Sequence, residues 1–344
     1  MAKNEPIRTG VAGLGRAGWG MHCGAIESKP RKFRLLAACD PIEQRRTMAQ
    51  EKFGCSTYAT IEEMASDPAV ELLTVATRSI DHFAHAMVGL KAGKDVYLEK
   101  PMCLTYAQAT KLRTAAAKSA GNLYVGHNRR FDGDFLHVRE IIASGVLGEV
   151  YEIKLSRLGY DRRDDWQTLK EYGGGQLLNW GAHIIDHALQ LLEAPVKNIW
   201  SDLKLIAALG DAEDHLKIVL TGANGRLVDI EISGGAAIRA PEYVVLGDRG
   251  SLVLQGSDIT LKYLDPRRKL KKGKANAGTP GMTFGSNEPL KWIEKAVQVK
   301  PRKPVSIWDE LHKAIRKGGR FPIAIDEAVE VMRVISTAKK GTKF

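Results

Sequence analysis

Cysteine is scarce here: four residues in a chain of 344, Cys23, Cys39, Cys55 and Cys103, with no C-x-x-C pair among them. That argues against a disulfide framework or a zinc motif and for reduced thiols in a cytosol-like compartment, and no bound metal is expected. No apolar run approaches the roughly 20 residues that cross a bilayer, so no membrane partner is expected. The opening Met1-Ala2-Lys3-Asn4-Glu5-Pro6 has no apolar stretch behind its lysine and does not read as a secretory signal, so a cytoplasmic location is expected for the chain as written. Acidic residues are outnumbered, 40 to 51, for a net charge of +11. Much of the excess is concentrated between Lys262 and Lys274, where Arg267, Arg268, Lys269, Lys271 and Lys272 face only Asp265. Base-stacking aromatics are not interleaved with this run, apart from Tyr263, so a nucleic-acid partner is not expected.

The composition is otherwise that of a globular protein, 44% hydrophobic and 26% charged, and the length suffices for two domains. Ile7 to Ala12 reads as a buried strand, followed at once by Gly13-Leu14-Gly15-Arg16-Ala17-Gly18 and a helical pattern. In a strand–turn–helix context this G-x-G-x-x-G has physical meaning: a tight turn at Gly13, close approach to a pyrophosphate at Gly15, and helix–strand packing at Gly18. The next strand, Phe33 to Cys39, ends in Asp40, where a carboxylate accepts hydrogen bonds from ribose hydroxyls and repels a 2′-phosphate. NAD is therefore favoured over NADP, while Arg45 and Arg46 pull the other way. Strands and helices alternate through Glu71–Thr77, Ile80–Ala92, Val96–Leu98, Thr105–Ala120 and Leu123–Gly126. That alternation predicts an open parallel sheet with helices on both faces, ending near residue 126. The stretch Val96-Tyr97-Leu98-Glu99-Lys100-Pro101 carries an ammonium out of a strand toward the ligand edge, in a direction that Pro101 restricts.

Beyond residue 126 the texture changes. A helix over Phe131–Ser144 precedes strands at Val150–Leu158, Ile199–Ala207, His215–Thr221, Arg226–Ser233, Tyr243–Leu246, Ser251–Leu254 and Ile259–Tyr263, a mostly antiparallel pattern. Asp265 to Asn287 reads as a loop, and helices at Ile307–Lys317 and Asp326–Lys339 close the chain. Gly173-Gly174-Gly175 leads into a helix, Leu177–Leu192, on which Asn179, His183 and His187 share a face beside Asp186. Histidine is the natural base for a hydroxyl proton. Tyr160, Arg162, Arg163, Asp164, Asp165, Trp166 and Tyr172 are candidates for the substrate side.

Together these motifs resemble the glucose–fructose oxidoreductase, inositol dehydrogenase and MocA (Gfo/Idh/MocA) family. The glycine turn with Asp40, the Thr77…His82 segment, Glu99-Lys100-Pro101, Asn128-Arg129-Arg130-Phe131, Gly145-Val146-Leu147-Gly148-Glu149-Val150 and Gly173 to Asp186 carry the likeness over nearly the whole chain. The resemblance implies a Rossmann NAD-binding domain at 1–126 and an α+β substrate and oligomerisation domain at 127–344. It implies an NAD(P)-dependent oxidoreductase acting on a hydroxyl of a sugar, polyol or cyclitol, in a homo-oligomer, a dimer or tetramer. Lys100 and His183 carry over as catalytic, and Asn128, Arg129, Trp166, Asn179 and Asp186 as the substrate side. Gly13, Gly15, Arg16, Ala17, Asp40, Arg45, Thr77, His82, Glu99 and Lys100 carry over as the cofactor side. Two positions depart from the family pattern. Asn179 stands where an aspartate is common, and Arg78 where a proline is. The alternative implied by some relatives is a redox-neutral glycosidase or lyase that oxidises a sugar transiently.

Overall fold

The computed structural model describes residues 5–270, 272–274, 288–301 and 305–344. Its first sheet holds β1 (Ile7–Ala12), β2 (Phe33–Cys39), β3 (Ser56–Tyr58), β4 (Leu72–Val75), β5 (Asp95–Leu98) and β6 (Leu123–Val125) in the order β3-β2-β1-β4-β5-β6, every pair parallel. Strands buried on both faces need apolar side chains at every position, which is why these segments read as continuous hydrophobic runs. The crossovers carry α1 (Gly24–Glu27), α2 (Glu43–Phe53), α3 (Ile61–Ser66), α4 (His82–Lys91) and α5 (Tyr106–Lys118). Thr60 and Thr105 cap α3 and α5 in reciprocal capping boxes with Glu63 and Gln108. The strand order reverses between β1 and β4, so the crevice for a ligand opens at their carboxyl ends.

The second half begins with α6 (Gly133–Ala143), β7 (Val150–Leu158), α7 (Trp180–Leu192), β8 (Val196–Lys204), β9 (His215–Gly222), β10 (Leu227–Ser233), β11 (Tyr243–Gly247), β12 (Gly250–Gln255), β13 (Asp258–Leu264) and β14 (Trp292–Gln298). The last eight strands form one sheet in the order β14-β13-β12-β11-β7-β10-β9-β8, antiparallel except for β7 beside β10. Its two faces differ, as the two-residue side-chain period requires. The row Ser201, Ile218, Ile230, Leu155, Tyr243, Leu254 and Ile259 runs across the covered face, and all but Ser201 are buried. The neighbouring row, from Trp200 through Lys154 to Ala296, lies on the open face. On the covered side lie α7 and a final helix, α9 (Ile325–Ala338), which also packs against α5 of the first sheet. The helix before it, α8 (Ile307–Lys317), returns to the first sheet, where Trp308 stacks edge-on against Phe33 (5.0 Å) and tilted against Tyr97 (5.4 Å).

Several boundaries differ from the sequence pattern for local reasons. The strand expected at 199–207 stops at Lys204. Beyond it the carboxylate of Asp214 accepts the backbone N–H of Ile206 (2.6 Å), Ala207 (2.7 Å) and Ala208 (2.8 Å) and turns the chain away from the sheet. The helix expected from Leu177 starts at Trp180, because Asn179 has ψ −87° and breaks the helical path. The helix expected from Phe131 starts at Gly133, after a 3-10 turn at Asn128–Phe131. Nothing in the sequence pattern announced β14, whose exposed edge position leaves little hydrophobic alternation. Of the expected loop at 265–287, residues 271 and 275–287 lie outside the described residues. At its start Asp265 is buried and grips the Arg267 guanidinium in two hydrogen bonds (2.9 and 2.8 Å).

Candidate active site

The glycine turn is built for a phosphate. Gly13 has φ +87°, and a side chain there would strike the Ala76 carbonyl at 2.7 Å. A Cβ on Gly18 would fall 1.7 Å from the Gly13 oxygen, so the first turn can close on the strand only without one. A Cβ on Gly15 would meet no protein atom within 4 Å. Gly15 therefore has no packing reason to be glycine, and it borders a cavity of about 840 Å³. Arg16, Ala17, Asp40, Arg45 and Thr77 line the same cavity. The residues present thus fit a dinucleotide, with Gly15 giving its pyrophosphate close access to the helix start.

Asp40 is buried and already partly engaged. Its carboxylate accepts the Leu14 N–H (2.8 Å) and the Ile42 N–H (3.0 Å), and Arg45 approaches at 3.3 Å. It braces the glycine loop while facing the end of the cavity where a ribose would lie. The helix that follows opens with π turns, Arg16–Cys23, before α1. On it His22, which the sequence pattern did not single out, sits 3.1 Å from the buried Glu99 carboxylate. Burial alone would raise the Glu99 pKa, but His22 and the neighbouring Lys100 and His82 hold it below the usual range.

Beyond this lies a second cavity of about 510 Å³, which shares Arg16, Thr77 and Trp166 with the first. Lys100 and His183 both line it, as do Glu99, Asn128, Arg129 and Asn179. Lys100 leaves β5 through a cis bond to Pro101, and its Nζ faces the Asn179 Oδ1 (3.3 Å) and carbonyl (3.5 Å). Burial lowers the Lys100 pKa; Glu99 opposes this, while Arg129, Arg163 and Arg16 push it further down. His183 is held well below its ordinary pKa by burial and then by Lys100, His127, His187 and Arg129. It is a neutral imidazole at pH 7, with its Nδ1 buried and unpaired among the described residues. The arrangement can accept a proton at one group and donate a hydrogen bond from another across a shared space.

Not every candidate reaches these cavities. Asp186 is buried, and its carboxylate takes both arms of Arg130 (2.8 and 2.6 Å), whose third nitrogen holds Glu327 of α9 at 2.8 Å. Asp186 therefore tethers the His183 helix rather than lining the cavity. His187 points the other way, to the Tyr243 hydroxyl (3.0 Å) and the Arg129 carbonyl (2.9 Å), stacked on Phe135. His82 borders the second cavity, yet it is buried and engages the Pro101 carbonyl (2.6 Å) and the Thr77 carbonyl (3.2 Å). It shapes the cradle through backbone. Arg78 lies over the Tyr172 ring at 4.5 Å, so its charge is spent on closing the cofactor cleft. Of the segment at 160–172, Arg163, Asp165 and Trp166 line the second cavity and Tyr172 the first, while Tyr160 is largely exposed. His127, buried next to His183 with ring centroids 6.5 Å apart, went unnoticed in the sequence. Its place at the end of β6, one residue before Asn128, was the available signal.

The sequence and the fold match known proteins. The profile described as "Oxidoreductase family, NAD-binding Rossmann fold" matches residues 7–127, and that of the GFO/IDH/MocA C-terminal domain matches residues 135–253. An uncharacterized oxidoreductase of Schizosaccharomyces pombe, C26H5.09c, is 33% identical over 74% of this chain and 71% of its own. The chain belongs to the GFO/IDH/MocA oxidoreductase family. Another member, scyllo-inositol 2-dehydrogenase (NADP(+)) IolW of Bacillus subtilis, is 29% identical over 99% of this chain and 95% of its own length. Among solved structures, an NAD-binding protein from Listeria innocua superposes with a TM-score of 0.82 at 22% identity, covering 98% of this chain and 96% of that one. As a GFO/IDH/MocA oxidoreductase the chain uses a nicotinamide dinucleotide, NAD or NADP. Among the described residues no helix is long and apolar enough to cross a membrane.

Proposed function

We propose that the protein oxidises a secondary hydroxyl of a sugar, polyol or cyclitol, or reduces the matching ketone, with NAD favoured over NADP. The observation that carries this reading is the meeting of Lys100 and His183, from different halves of the chain, in one cavity that adjoins the dinucleotide cleft. A dinucleotide held by Gly13, Gly15, Asp40 and Thr77 in the first cavity would supply the hydride acceptor. His183, neutral through burial and its cationic neighbours, takes the hydroxyl proton. Lys100 donates a hydrogen bond to the same oxygen as its negative charge grows, which is stabilisation aimed at the transition state. Asn179 accepts from Lys100 and aims it, but its amide cannot take a proton. Arg130 and Asp186 keep α7, and so His183, in register with the end of β6. We further propose that the open face of the second sheet, with Trp200 and Trp292 exposed, joins copies into a dimer or tetramer; light scattering in solution reads this directly.

A screen of sugars, inositols and their ketones with each dinucleotide, followed by reduced-cofactor absorbance, tests the activity. Lys100→Met and His183→Ala should each cut turnover on the best substrate by roughly 10²–10⁴-fold. Near-normal turnover in both variants would overturn the assignment. Product formed without net reduced cofactor would replace the dehydrogenase by the redox-neutral route.

A further inference from the structure

The triple glycine ahead of α7 offers the site backbone and no side chain. Gly174 and Gly175 line the second cavity, as do Asn179, Trp180 and His183 just after them. Gly175 has φ +106°, and a Cβ there would strike both carboxylate oxygens of Glu213. The third glycine is thus the seat of a carboxyl. Glu213 comes from the connection between β8 and β9 and is buried, without bordering the second cavity itself.

Glu213 grips the segment with side chain and backbone together. Its Oε1 accepts the Leu177 N–H (3.0 Å), and its backbone carbonyl accepts the Gln176 N–H (2.9 Å). The gripped residues then launch the helix. The Gly175 carbonyl accepts the Asn179 N–H (3.0 Å), and the Gln176 carbonyl accepts the Gly181 N–H (2.7 Å). The first N–H groups of a helix have no partner within the helix, so whatever fixes these carbonyls fixes where α7 begins. Asn179 faces Lys100, and His183 stands one turn further on.

Two oxygens are left over. The Glu213 Oε2 and the Gln176 Oε1 are buried and have no hydrogen-bond partner among the described residues. Both side chains border a third cavity, of about 20 Å³, which also touches Arg163, Gln167 and Thr168. Two acceptors call for two donors, and a space of that size has room for one water, whose two O–H groups supply them. Burial pushes the Glu213 pKa up, opposed by Lys339, by the N–H groups of Glu213 itself and Leu177, and by Lys170. The place disfavours charge and uses the reach and the accepting oxygen of the side chain.

We propose that Glu213 is a positioning residue: its carboxyl, completed by one buried water shared with Gln176, clamps residues 175–177 and so sets Asn179 and His183 against Lys100. It touches neither substrate nor cofactor and acts through the backbone. The role rests on the reading of Lys100 and His183 as the reactive pair. There its effect is on turnover, since a shift of about 1 Å at a reacting group costs up to roughly 100-fold.

Two substitutions separate reach from charge. Glu213→Gln keeps the length and an accepting oxygen but no charge; Glu213→Asp keeps the charge and withdraws it by one methylene. In the full chain, kcat on the best substrate of the screen should fall roughly tenfold or more in Glu213→Asp, with KM and dinucleotide affinity changed less than about twofold, and stay within about twofold in Glu213→Gln. Amide hydrogen exchange over 175–183, followed by mass spectrometry without substrate, should quicken in Glu213→Asp alone. A merely structural residue would lower the melting temperature in both variants and leave kcat and KM where they were. A crystal structure should show one water bridging the two oxygens, and a dry gap, or a metal ion in it, would overturn the clamp as proposed. So would activity lost in Glu213→Gln but kept in Glu213→Asp, or turnover that requires added sodium or potassium, since either makes this a charge or cation site. Faster exchange in a chain that turns over no sugar or polyol would sink the dehydrogenase reading alone, and hydride transfer untouched by Glu213→Asp would sink only the clamp.

Discussion

Asn179 shows how one side chain sets the chemistry of its neighbour. Its amide oxygen lies 3.3 Å from the Lys100 ammonium, close enough to orient it and without charge to stabilise it. Asn179→Asp places a carboxylate at that distance, which favours the protonated lysine. The alkaline limb of kcat/KM should move to higher pH than in the unmodified protein; an unchanged pH profile would show that Lys100 does not titrate in the profile. Residue type and spacing singled out Lys100, His183 and Asn179 as candidates, and the family likeness gave Lys100 and His183 their proposed roles. The roles of Asp186 and His82 were not legible, because spacing on a helix says which residues share a face and not what that face packs against. Asp186 found Arg130, and His82 found the Pro101 carbonyl.

At the level of elements, the surroundings of the glycine turn bear on the two functions that the motif assigns to Gly15 and Gly18. Gly15 borders open cavity, whereas Gly18 touches the Gly13 carbonyl. Gly15→Ala should leave the melting temperature nearly unchanged and weaken dinucleotide binding by roughly tenfold, about 1.4 kcal/mol. Gly18→Ala should do the reverse in emphasis: overpacking costs typically about 1–3 kcal/mol and should lower the melting temperature before any ligand is added. A thermal melt and a fluorescence titration on both variants check this, and equal effects on both readouts would mean the two glycines share one role. The strands of the first sheet were readable because burial on both faces leaves unbroken apolar runs. β14 was hidden by its place at the sheet edge, and the end of β8 by the grip of Asp214 on three backbone N–H groups.

Across the whole molecule, burial of titrating groups links the site to acid stability. His82, His127, His183 and His187 are all buried with pKa values lowered by that burial from an ordinary 6.5. Their folded-state pKa values lie below the unfolded ones, so the stability they contribute is present above about pH 6.5 and is lost as the pH falls below it. Glu99 and Asp186, also lowered, act in the same direction at more acid pH, where His22 and Arg130 lose their charged partners. The melting temperature should therefore be flat through neutral pH and decline progressively once the pH drops below about 6.5. A melting temperature that rises on acidification through this window would contradict the burial of these imidazoles.

By itself the sequence determined the alternation of strands and helices in the first half, the glycine turn, the carboxylate at the end of β2 and the change to a largely antiparallel half, while the proposed reactive pair, Lys100 and His183, was drawn from the likeness to a family. These are local properties: periodicity follows from which face is buried, and a turn follows from the residues that can adopt it. Only the tertiary structure decided that α8 returns to the first sheet through Trp308 and that α9 ties α5 to the second sheet. The same holds for Arg129 and Arg157, 28 positions apart by their numbers, which converge on Trp180. Such contacts depend on side chains brought together by chain crossings, and a pattern along the polypeptide holds no record of what lies across a cavity.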